Sequence, residues 1–277
     1  MTDKEQLSVT SFQQMKVEGR RIVMVTAYDY AMGKIAAQSG IDLILVGDSL
    51  GMVVLGYDTT LQVTMADMLH HSAATRRGAP QSFIVTDMPF MSYHSIKAAK
   101  LNAADLIVQG GANAVKLEGG SPSRVDAVKA IVDCEIPVCA HIGLTPQSVH
   151  RFGGYKVQGK TVKEHDELLR QAKALEAAGA FMLVLEGIPE LLGKEITESI
   201  AIPTIGIGAG RHTDGQVLVW HDLLGFSGMR PKFVKTYADL ASSIQTALQD
   251  YATETREGVF PSQSQVYYPI KITEEHQ

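Results

Sequence analysis

Hydrophobic residues in this chain fall into short runs of strand length, and these runs alternate with longer segments of helical periodicity. The runs predict eight strands, at residues 21–26, 43–46, 82–87, 113–118, 137–141, 181–186, 204–207 and 217–220. Most strands are followed by a predicted helix, but the last two are separated by about ten residues, too few for an ordinary crossover helix. Eight strands that alternate with helices favour a single (β/α)8 TIM barrel of the α/β class, and a doubly wound sheet is the alternative.

Acidic residues stand at or near the ends of several of these strands. Asp48, Asp87 and Glu118 follow the second, third and fourth strands, which are neighbours in a barrel. Because the carboxyl ends of barrel strands face the same side, we expect the three carboxylates to converge there. Three anions at close range repel one another, so a cation is expected between them, and hard oxygen ligands favour Mg²⁺ or a relative. A helix-capping or salt-bridging role is the alternative for each acid taken alone.

Three further residues of this ring are candidates for chemistry. Lys116 stands two residues before Glu118, so in a strand both side chains share one face and Lys116 lies one layer deeper. Lys116 could hold a substrate carboxylate or a developing oxyanion, act as a Schiff-base nucleophile, or form a core ion pair with Glu118. His141 and Glu186 end the fifth and sixth strands, and either could be a general base. The apolar neighbours of Glu186 favour a raised carboxyl pKa.

Ser49 and Tyr28 are weaker candidates for orienting a substrate, and an ordinary turn position is the alternative for both. Two glycine-rich segments also lie after strands. Residues 205–210 lack the spacing of the dinucleotide fingerprint, so we expect close backbone packing there, around a ligand or in a turn. Residues 153–160 could form a mobile lid or an ordinary exposed loop.

The composition is that of a globular chain. Of 277 residues, 45% are hydrophobic, and 30 acidic against 25 basic residues give a net charge of −5. We find no lysine and arginine cluster that would follow a phosphate backbone, so nucleic acid is not an expected partner. The polar start has no apolar signal segment, and the apolar runs are far shorter than the ~20 residues that span a bilayer. We therefore expect no membrane association and a cytoplasmic location.

Residues 1–277 are expected to form one barrel domain with a short polar N-terminal extension and a C-terminal tail from Gly258. A C-terminal helix, from residue 237 to about residue 254, is expected to close the ring of helices. Cys134 and Cys139 are too few for a disulfide framework or a zinc cluster, so both are expected to be buried thiols.

The motifs at the strand ends resemble those of the ketopantoate hydroxymethyltransferase family. The resemblance runs in order from about residue 8 to residue 262. Its motifs are VTAYD at 25–29, LVGDS at 45–49, DMPFM at 87–91, KLEGG at 116–120, HIGLTPQ at 141–147, IGIGAG at 205–210, DGQVLV at 214–219 and HDLLG at 221–225. Each motif alone is weak evidence, whereas the full set in register is strong evidence.

The resemblance implies a barrel of the phosphoenolpyruvate/pyruvate type in the cytoplasmic pathway to pantothenate and coenzyme A. The family transfers a hydroxymethyl group from 5,10-methylenetetrahydrofolate to 3-methyl-2-oxobutanoate, giving ketopantoate and tetrahydrofolate through a Mg²⁺-stabilised enolate. Members commonly assemble as decamers, so the resemblance also implies a homo-oligomer.

The motif match also implies residue roles. Asp48 and Asp87 would bind the metal and the ketoacid, and Glu118 would join or support the metal shell. Ser49 and Lys116 would hold the ketoacid.

Glu186 would accept the C3 proton of the ketoacid, and the sequence leaves His141 open as the alternative. His141 is also an expected contact of the ketoacid.

Two rival functions remain at this point. A related barrel enzyme that cleaves a carbon–carbon or carbon–phosphorus bond of a 2-oxo acid would use similar acids. Such an enzyme is expected to carry a catalytic cysteine in a loop, and neither Cys134 nor Cys139 lies in a candidate active-site loop. A barrel that only binds a metabolite would bind the ketoacid without exchanging its C3 hydrogen.

Overall fold

Eight parallel strands form a closed barrel in which every strand pairs with the next along the chain and the eighth pairs with the first. The computed structural model describes residues 6–228 and 231–268. The strands are β1 Ile22–Thr26, β2 Leu43–Val46, β3 Phe83–Asp87, β4 Ala114–Glu118, β5 Val138–Gly143, β6 Met182–Glu186, β7 Thr204–Ile207 and β8 Gly215–Leu218. This order confirms the predicted (β/α)8 barrel and excludes the doubly wound sheet.

Helices surround the barrel and fill several of its loops. They are α1 Val9–Val17, α2 Tyr30–Gln38, α3 Leu50–Val53, α4 Met65–Gly78, α5 Ile96–Val108, α6 Pro122–Val132, α7 Val149–Phe152, α8 Val162–Ala177, α9 Glu190–Ser199, α10 Trp220–Leu223 and α11 Leu240–Glu257. Side-chain caps fix several of the helix starts. At α4, the Thr64 hydroxyl accepts from the Asp67 N–H while the Asp67 carboxylate accepts from the Thr64 N–H, so two backbone donors are satisfied reciprocally.

Side chains alternate along each strand between the barrel interior and the helices. In β4, Ala114 packs inside the barrel, whereas Val115 and Leu117 pack outward in the larger apolar cluster. Lys116 and Glu118 share the inward face with Ala114 because side chains two residues apart in a strand point the same way. The interior is thus apolar at the amino ends of the strands and polar at their carboxyl ends.

Helix α1 closes the amino end of the barrel. Phe12 is fully buried, and its ring centroid lies 5.0 Å from that of Phe83 and 6.4 Å from that of Phe181. Lys16 Nζ lies 2.9 Å from Asp214 Oδ2, just before β8. The apolar face of α1 therefore forms the layer of the core at the amino end of the barrel.

The last strand starts earlier than the sequence predicts. Strand β8 is Gly215–Leu218 rather than 217–220, because Gly215 lets the backbone approach β1 closely. A Cβ atom at Gly215 would lie 2.4 Å from the Ile22 carbonyl oxygen. Trp220 already starts α10, and its N–H donates to Thr26 Oγ1 at 2.9 Å. No helix lies in the described connection from β7 to β8, residues 208–214, as its length predicts.

The C-terminal helix does not close the ring of helices, so that expectation is wrong. Within the described chain, α11 has no buried residue, and Ile244, Leu248 and Tyr251 are 42%, 62% and 55% exposed. On the outer face of β1, Val23 is also 46% exposed. The amphipathic pattern of the helix identifies its apolar face but carries no information about what covers that face. The expected tail is exposed over residues 258–268, and its remainder lies outside the described residues.

The cysteine expectation holds for one residue of the two. Cys139 is buried inside the barrel, but Cys134 is exposed, because it lies in the turn that follows α6. Among the described residues, none of the helices is both long enough and apolar enough to span a membrane.

Candidate active site

The polar side chains predicted at the strand ends meet at the carboxyl end of the barrel. Strand register explains how they meet. Asp87 of β3 lies beside Lys116 of β4, and Glu118, one layer higher, lies beside His141 of β5. Glu186 ends β6 beside Gly143. Asp48 follows β2, and its N–H donates to Asp87 Oδ2 at 3.0 Å. Five of the six predicted acids and bases are buried, namely Asp48, Asp87, Lys116, Glu118 and His141.

Lys116 is the cation at the centre of this cluster. Its Nζ lies 3.0 Å from Asp87 Oδ1 and 3.3 Å from His141 Nδ1. Burial alone would lower the lysine pKa, but the charges of Asp87, Glu118 and Asp48 outweigh burial and raise the pKa well above its usual value. Lys116 is therefore a protonated donor at neutral pH, which argues against the Schiff-base role.

The lysine also determines the proton position on His141. Burial first, and then the positive charge of Lys116, lower the pKa of His141 well below its usual value, so the ring is neutral. A protonated lysine can only donate, so His141 Nδ1 accepts and the ring proton resides on Nε2. Nε2 lies 3.3 Å from Glu186 Oε2, without the alignment of a hydrogen bond to any described atom.

Three of the carboxyls have raised pKa values. Burial raises the pKa of Asp48 to about 7, with a further increase from Asp87, and burial together with Asp48 raises the pKa of Glu118. Burial raises the pKa of Glu186 to about 7, opposed by Lys116. The Glu186 side chain is 17% exposed, so it borders the mouth of the barrel. The protein places more negative charge here than Lys116 alone can balance.

Gln147 and Tyr93 tie the acids together, and sequence reasoning missed both residues. Gln147 Nε2 donates to Asp48 Oδ2 at 2.7 Å and to the Met88 carbonyl at 3.0 Å. The Gln147 N–H donates to Glu118 Oε2 at 3.0 Å, and the Tyr93 hydroxyl donates to Gln147 Oε1. Gln147 closes the HIGLTPQ motif, so a buried amide after strand five was the available signal.

Ser49 and Tyr28 form a pair beside Asp48. The Tyr28 hydroxyl lies 2.8 Å from Ser49 Oγ, and burial raises the pKa of Tyr28. A Cβ atom on Gly47 would lie 2.9 Å from Ser49 Oγ, so glycine leaves the space that the serine hydroxyl occupies. Tyr28 therefore holds the hydroxyl of Ser49 rather than filling an ordinary turn position.

The two glycine-rich segments differ in their relation to the site. Within residues 153–160, the Tyr155 hydroxyl donates to Met52 Sδ of α3 at 3.5 Å. Burial, then Asp48 and Glu186, raise the pKa of Tyr155. Whether the loop moves as a lid stays a prediction. Residues 205–210 form the expected turn, in which Gly208 and Gly210 have φ values of +64° and +83°.

The donor set fits a hard divalent cation. Among residues 6–228 and 231–268, no group of three His, Cys, Asp or Glu side chains is spaced to hold a metal ion by itself. Mg²⁺, however, is usually held by one or two carboxylates, with its remaining positions filled by water and substrate oxygens. Asp48 and Asp87, joined by the 3.0 Å hydrogen bond, supply such a pair, and the charge of Asp87 contributes to the raised pKa of Asp48, a repulsion that a cation between the two carboxyls would relieve.

The chain forms a parallel barrel with buried acids and a lysine at the carboxyl ends of its strands. This combination is the architecture of a barrel enzyme. Two solved structures share this fold over most of their length. One is 2,3-dimethylmalate lyase, a PEP mutase/isocitrate lyase superfamily member, with a TM-score of 0.60, 13% identity and coverage of 94% of this chain and 91% of that one. The other is phosphonopyruvate hydrolase in complex with oxalate and Mg²⁺, with a TM-score of 0.61, 12% identity and the same coverage.

The sequence matches identify the particular family. The ketopantoate hydroxymethyltransferase family matches residues 6–263. The 3-methyl-2-oxobutanoate hydroxymethyltransferase of Clostridium acetobutylicum is 56% identical over 256 residues, covering 92% of each chain. That of Geobacter metallireducens is 53% identical over 258 residues, covering 92% of this chain and 96% of the relative. The chain belongs to the ketopantoate hydroxymethyltransferase family, and the predicted resemblance is confirmed.

The hydrogen-bond chain from Tyr93 through Gln147 to Asp48 predicts energetic coupling. Tyr93→Phe leaves the Gln147 carbonyl oxygen without its donor, and Gln147→Leu leaves the Tyr93 hydroxyl without its acceptor and the Asp48 carboxylate without the Gln147 donor. We expect each substitution to lower the free energy of unfolding in urea by about 1–3 kcal/mol. The double variant should lose about 1 kcal/mol less than the sum.

Tyr155→Phe is the matched control, because its hydroxyl is exposed and contacts a thioether; it should change the free energy of unfolding by less than about 0.5 kcal/mol. Strict additivity of Tyr93→Phe and Gln147→Leu would show that the two side chains act separately.

Proposed function

We propose that this chain transfers a hydroxymethyl group from 5,10-methylenetetrahydrofolate to C3 of 3-methyl-2-oxobutanoate, giving ketopantoate and tetrahydrofolate. The observation that carries this proposal is Glu186, an acid with a pKa of about 7 at the mouth, beside a buried lysine and a cation-seeking group of acids. The names of the relatives support the reaction. The enzyme acts in the cytoplasm at the entry to pantothenate biosynthesis, as one barrel domain over residues 1–277 with terminal extensions.

Asp48 and Asp87 would hold Mg²⁺, and Glu118 would support that shell through Gln147, to which both Asp48 and Glu118 are hydrogen-bonded. When bound, Mg²⁺ supplies positive charge next to the carboxylate and keto oxygens of the ketoacid, which makes the C3 proton more acidic. The family resemblance and the carboxylate chemistry of the site support this assignment.

Lys116 and Ser49 hold the ketoacid. The Lys116 ammonium is buried and its pKa is raised, so it is charged at neutral pH and attracts the negative oxygen that develops when the C3 proton leaves. The Ser49 hydroxyl is fixed by Tyr28 next to Asp48, so it can donate to a substrate oxygen without losing rotational freedom on binding. His141 adds an Nε2–H donor at the same place.

Glu186 removes the C3 proton. His141 is unsuited to this role because its Nδ1 faces Lys116, its Nε2 carries the proton, and burial opposes its protonation. Glu186 has one carboxylate oxygen near the His141 N–H and a pKa close to neutrality, so it is both oriented and basic enough to accept a proton. The C3 carbon then bonds to the methylene carbon of the folate, and one water supplies the hydroxyl oxygen of the product. The two C–N bonds of that methylene carbon break, and the two nitrogens of tetrahydrofolate take up the proton removed from C3 and one proton of the water.

Proton NMR of 3-methyl-2-oxobutanoate in D₂O tests the first half of the reaction. The C3 proton signal should disappear with the enzyme and Mg²⁺ but not after EDTA, and ketopantoate should form when methylenetetrahydrofolate is added. Glu186→Gln should slow the exchange by about 10²–10⁴-fold, because the base is lost while the shape is kept.

Glu190→Gln is the control for that variant, since Glu190 forms a surface pair with Arg211; its exchange rate should match that of the native enzyme. Absence of exchange with well-folded native enzyme would contradict the mechanism and favour a protein that only binds the ketoacid. Exchange without ketopantoate would keep the enolising barrel and reject folate as the donor.

The rate of C3 exchange should depend on pH through Glu186. The base is active when deprotonated, and its folded-state pKa is raised to about 7. Exchange under saturating Mg²⁺ and ketoacid should therefore rise with pH through about 7 and level off above it. A rate that is flat from pH 5 to pH 9, or that falls across this interval, would contradict the assignment of Glu186 as the base.

A second copy of the chain covers the exposed apolar face of α11 and the outer face of β1 and β8, where the described barrel has no helix. Apolar residues at positions 244, 248 and 251 form one stripe of α11, and a stripe of this kind is stable in water when a partner buries it. The protein is therefore a homo-oligomer, and the family resemblance favours a decamer.

Leu248→Asp should weaken this assembly, because it places a charge in the buried stripe. Light scattering after gel filtration should show a smaller species for Leu248→Asp than for the native chain. Thr246→Asp, on the opposite face of the same helix, should leave the molar mass unchanged. Equal masses for Leu248→Asp and the native chain at micromolar concentration would remove α11 from the interface.

A further inference from the structure

The cavity beside the acids is larger than the ketoacid requires. It measures about 360 Å³ and lies between the start of α6, the loop after β5 and the side of α8. Glu118 and Gln147 line it, and both residues also belong to the cluster of acids. The cavity therefore opens directly beside the reaction centre and extends outward from it. A volume of this size suits part of a large ligand rather than a five-carbon acid.

Three acids and two arginines line this cavity, and two of the acids already have partners within the protein. The carboxylate of Glu164 accepts the N–H groups of Lys160 and Thr161, and that of Glu167 accepts from Arg170 and Gln171. Both acids are thus satisfied within the protein, and their pKa values are lowered accordingly.

Arg124 and Arg151 line the same cavity, and neither forms an ion pair with a carboxylate in the described part of the chain. The Arg124 guanidinium lies 4.5 Å from the Tyr93 ring centroid, with one N–H donated to the Tyr93 carbonyl, and that of Arg151 lies 5.5 Å from the Phe152 ring. Most of the guanidinium N–H donors remain available. Arginine binds carboxylates through pairs of such donors.

Aromatic side chains line the same cavity. Phe90, Tyr93 and Phe152 line the cavity, and Phe90 is 42% exposed. An exposed phenylalanine at a cavity edge gains from contact with a flat ring, because such contact removes apolar surface from water.

We propose that this cavity binds the aminobenzoyl-glutamate arm of the folate co-substrate, with its ring against the aromatic side chains and its glutamyl carboxylates on Arg124 and Arg151. The assignment rests on the proposed function. In methylenetetrahydrofolate, the reacting methylene carbon joins the pterin to the nitrogen that bears the aminobenzoyl ring. A carbon placed over the ketoacid therefore has this arm within reach of the neighbouring cavity.

Steady-state kinetics with two donors test the assignment. One donor is 5,10-methylenetetrahydrofolate, and the other is the corresponding tetrahydropteroate, which lacks the glutamate. Arg151→Gln should raise the KM for methylenetetrahydrofolate about tenfold, because a charged hydrogen-bonded pair is lost, and should leave the KM for the pteroate donor unchanged. Arg124→Gln should act in the same direction. Lys163→Gln, an exposed cation on α8 outside the cavity lining, is the control and should change neither KM.

The exchange of the ketoacid C3 proton, measured without folate, reports separately on the reaction centre. Selective loss of folate affinity in a variant that still exchanges the proton supports the cavity as the glutamate site. An unchanged KM for both donors, or an equal rise for both, overturns it. Absence of exchange in the native enzyme would instead count against the proposed function, so the two failures are distinguishable.

Discussion

The buried ammonium of Lys116 is the interaction on which the site depends. It lies among the carboxyls of three neighbouring strands and contacts Asp87 directly. Burial raises the pKa of Asp48 to about 7, with a further increase from Asp87, and burial also raises that of Glu186 to about 7, opposed by Lys116. Burial, and then the charge of Lys116, lower the pKa of His141, which leaves Glu186 as the group able to accept a proton. The burial of several carboxyls around a single lysine thus explains both the place for a cation and the choice of base.

Barrel geometry makes this arrangement possible without long loops. The register between neighbouring strands sets the height of each side chain along the barrel axis. Asp87 and Lys116 therefore share one layer, while Glu118 and His141 share the next. A shift of one residue in any of these pairings would turn the polar side chains toward the helices. The apolar lower half of the barrel, completed by Phe12, holds the register that the site requires.

The sequence was sufficient for the parts that depend on local pattern. Strand runs and the acids after them predict the barrel and bring six polar side chains to one mouth. Features that depend on distant contacts were not predictable in this way. The role of Gln147 arises from its contacts with Asp48 and Tyr93, far away in sequence. The exposure of α11 depends on what covers its apolar stripe, and a periodic sequence pattern does not show which partner that is.

The packing of α1 has a consequence for how the chain folds during synthesis. Its Phe12 contacts Phe83 and Phe181, and its Lys16 contacts Asp214, so α1 leaves the ribosome well before its last partner, near the end of the barrel, is made. Contacts of such long sequence separation form slowly, because the intervening chain must be ordered first. Until Asp214 has been synthesised, the helix that seals the barrel floor remains without its complete set of partners.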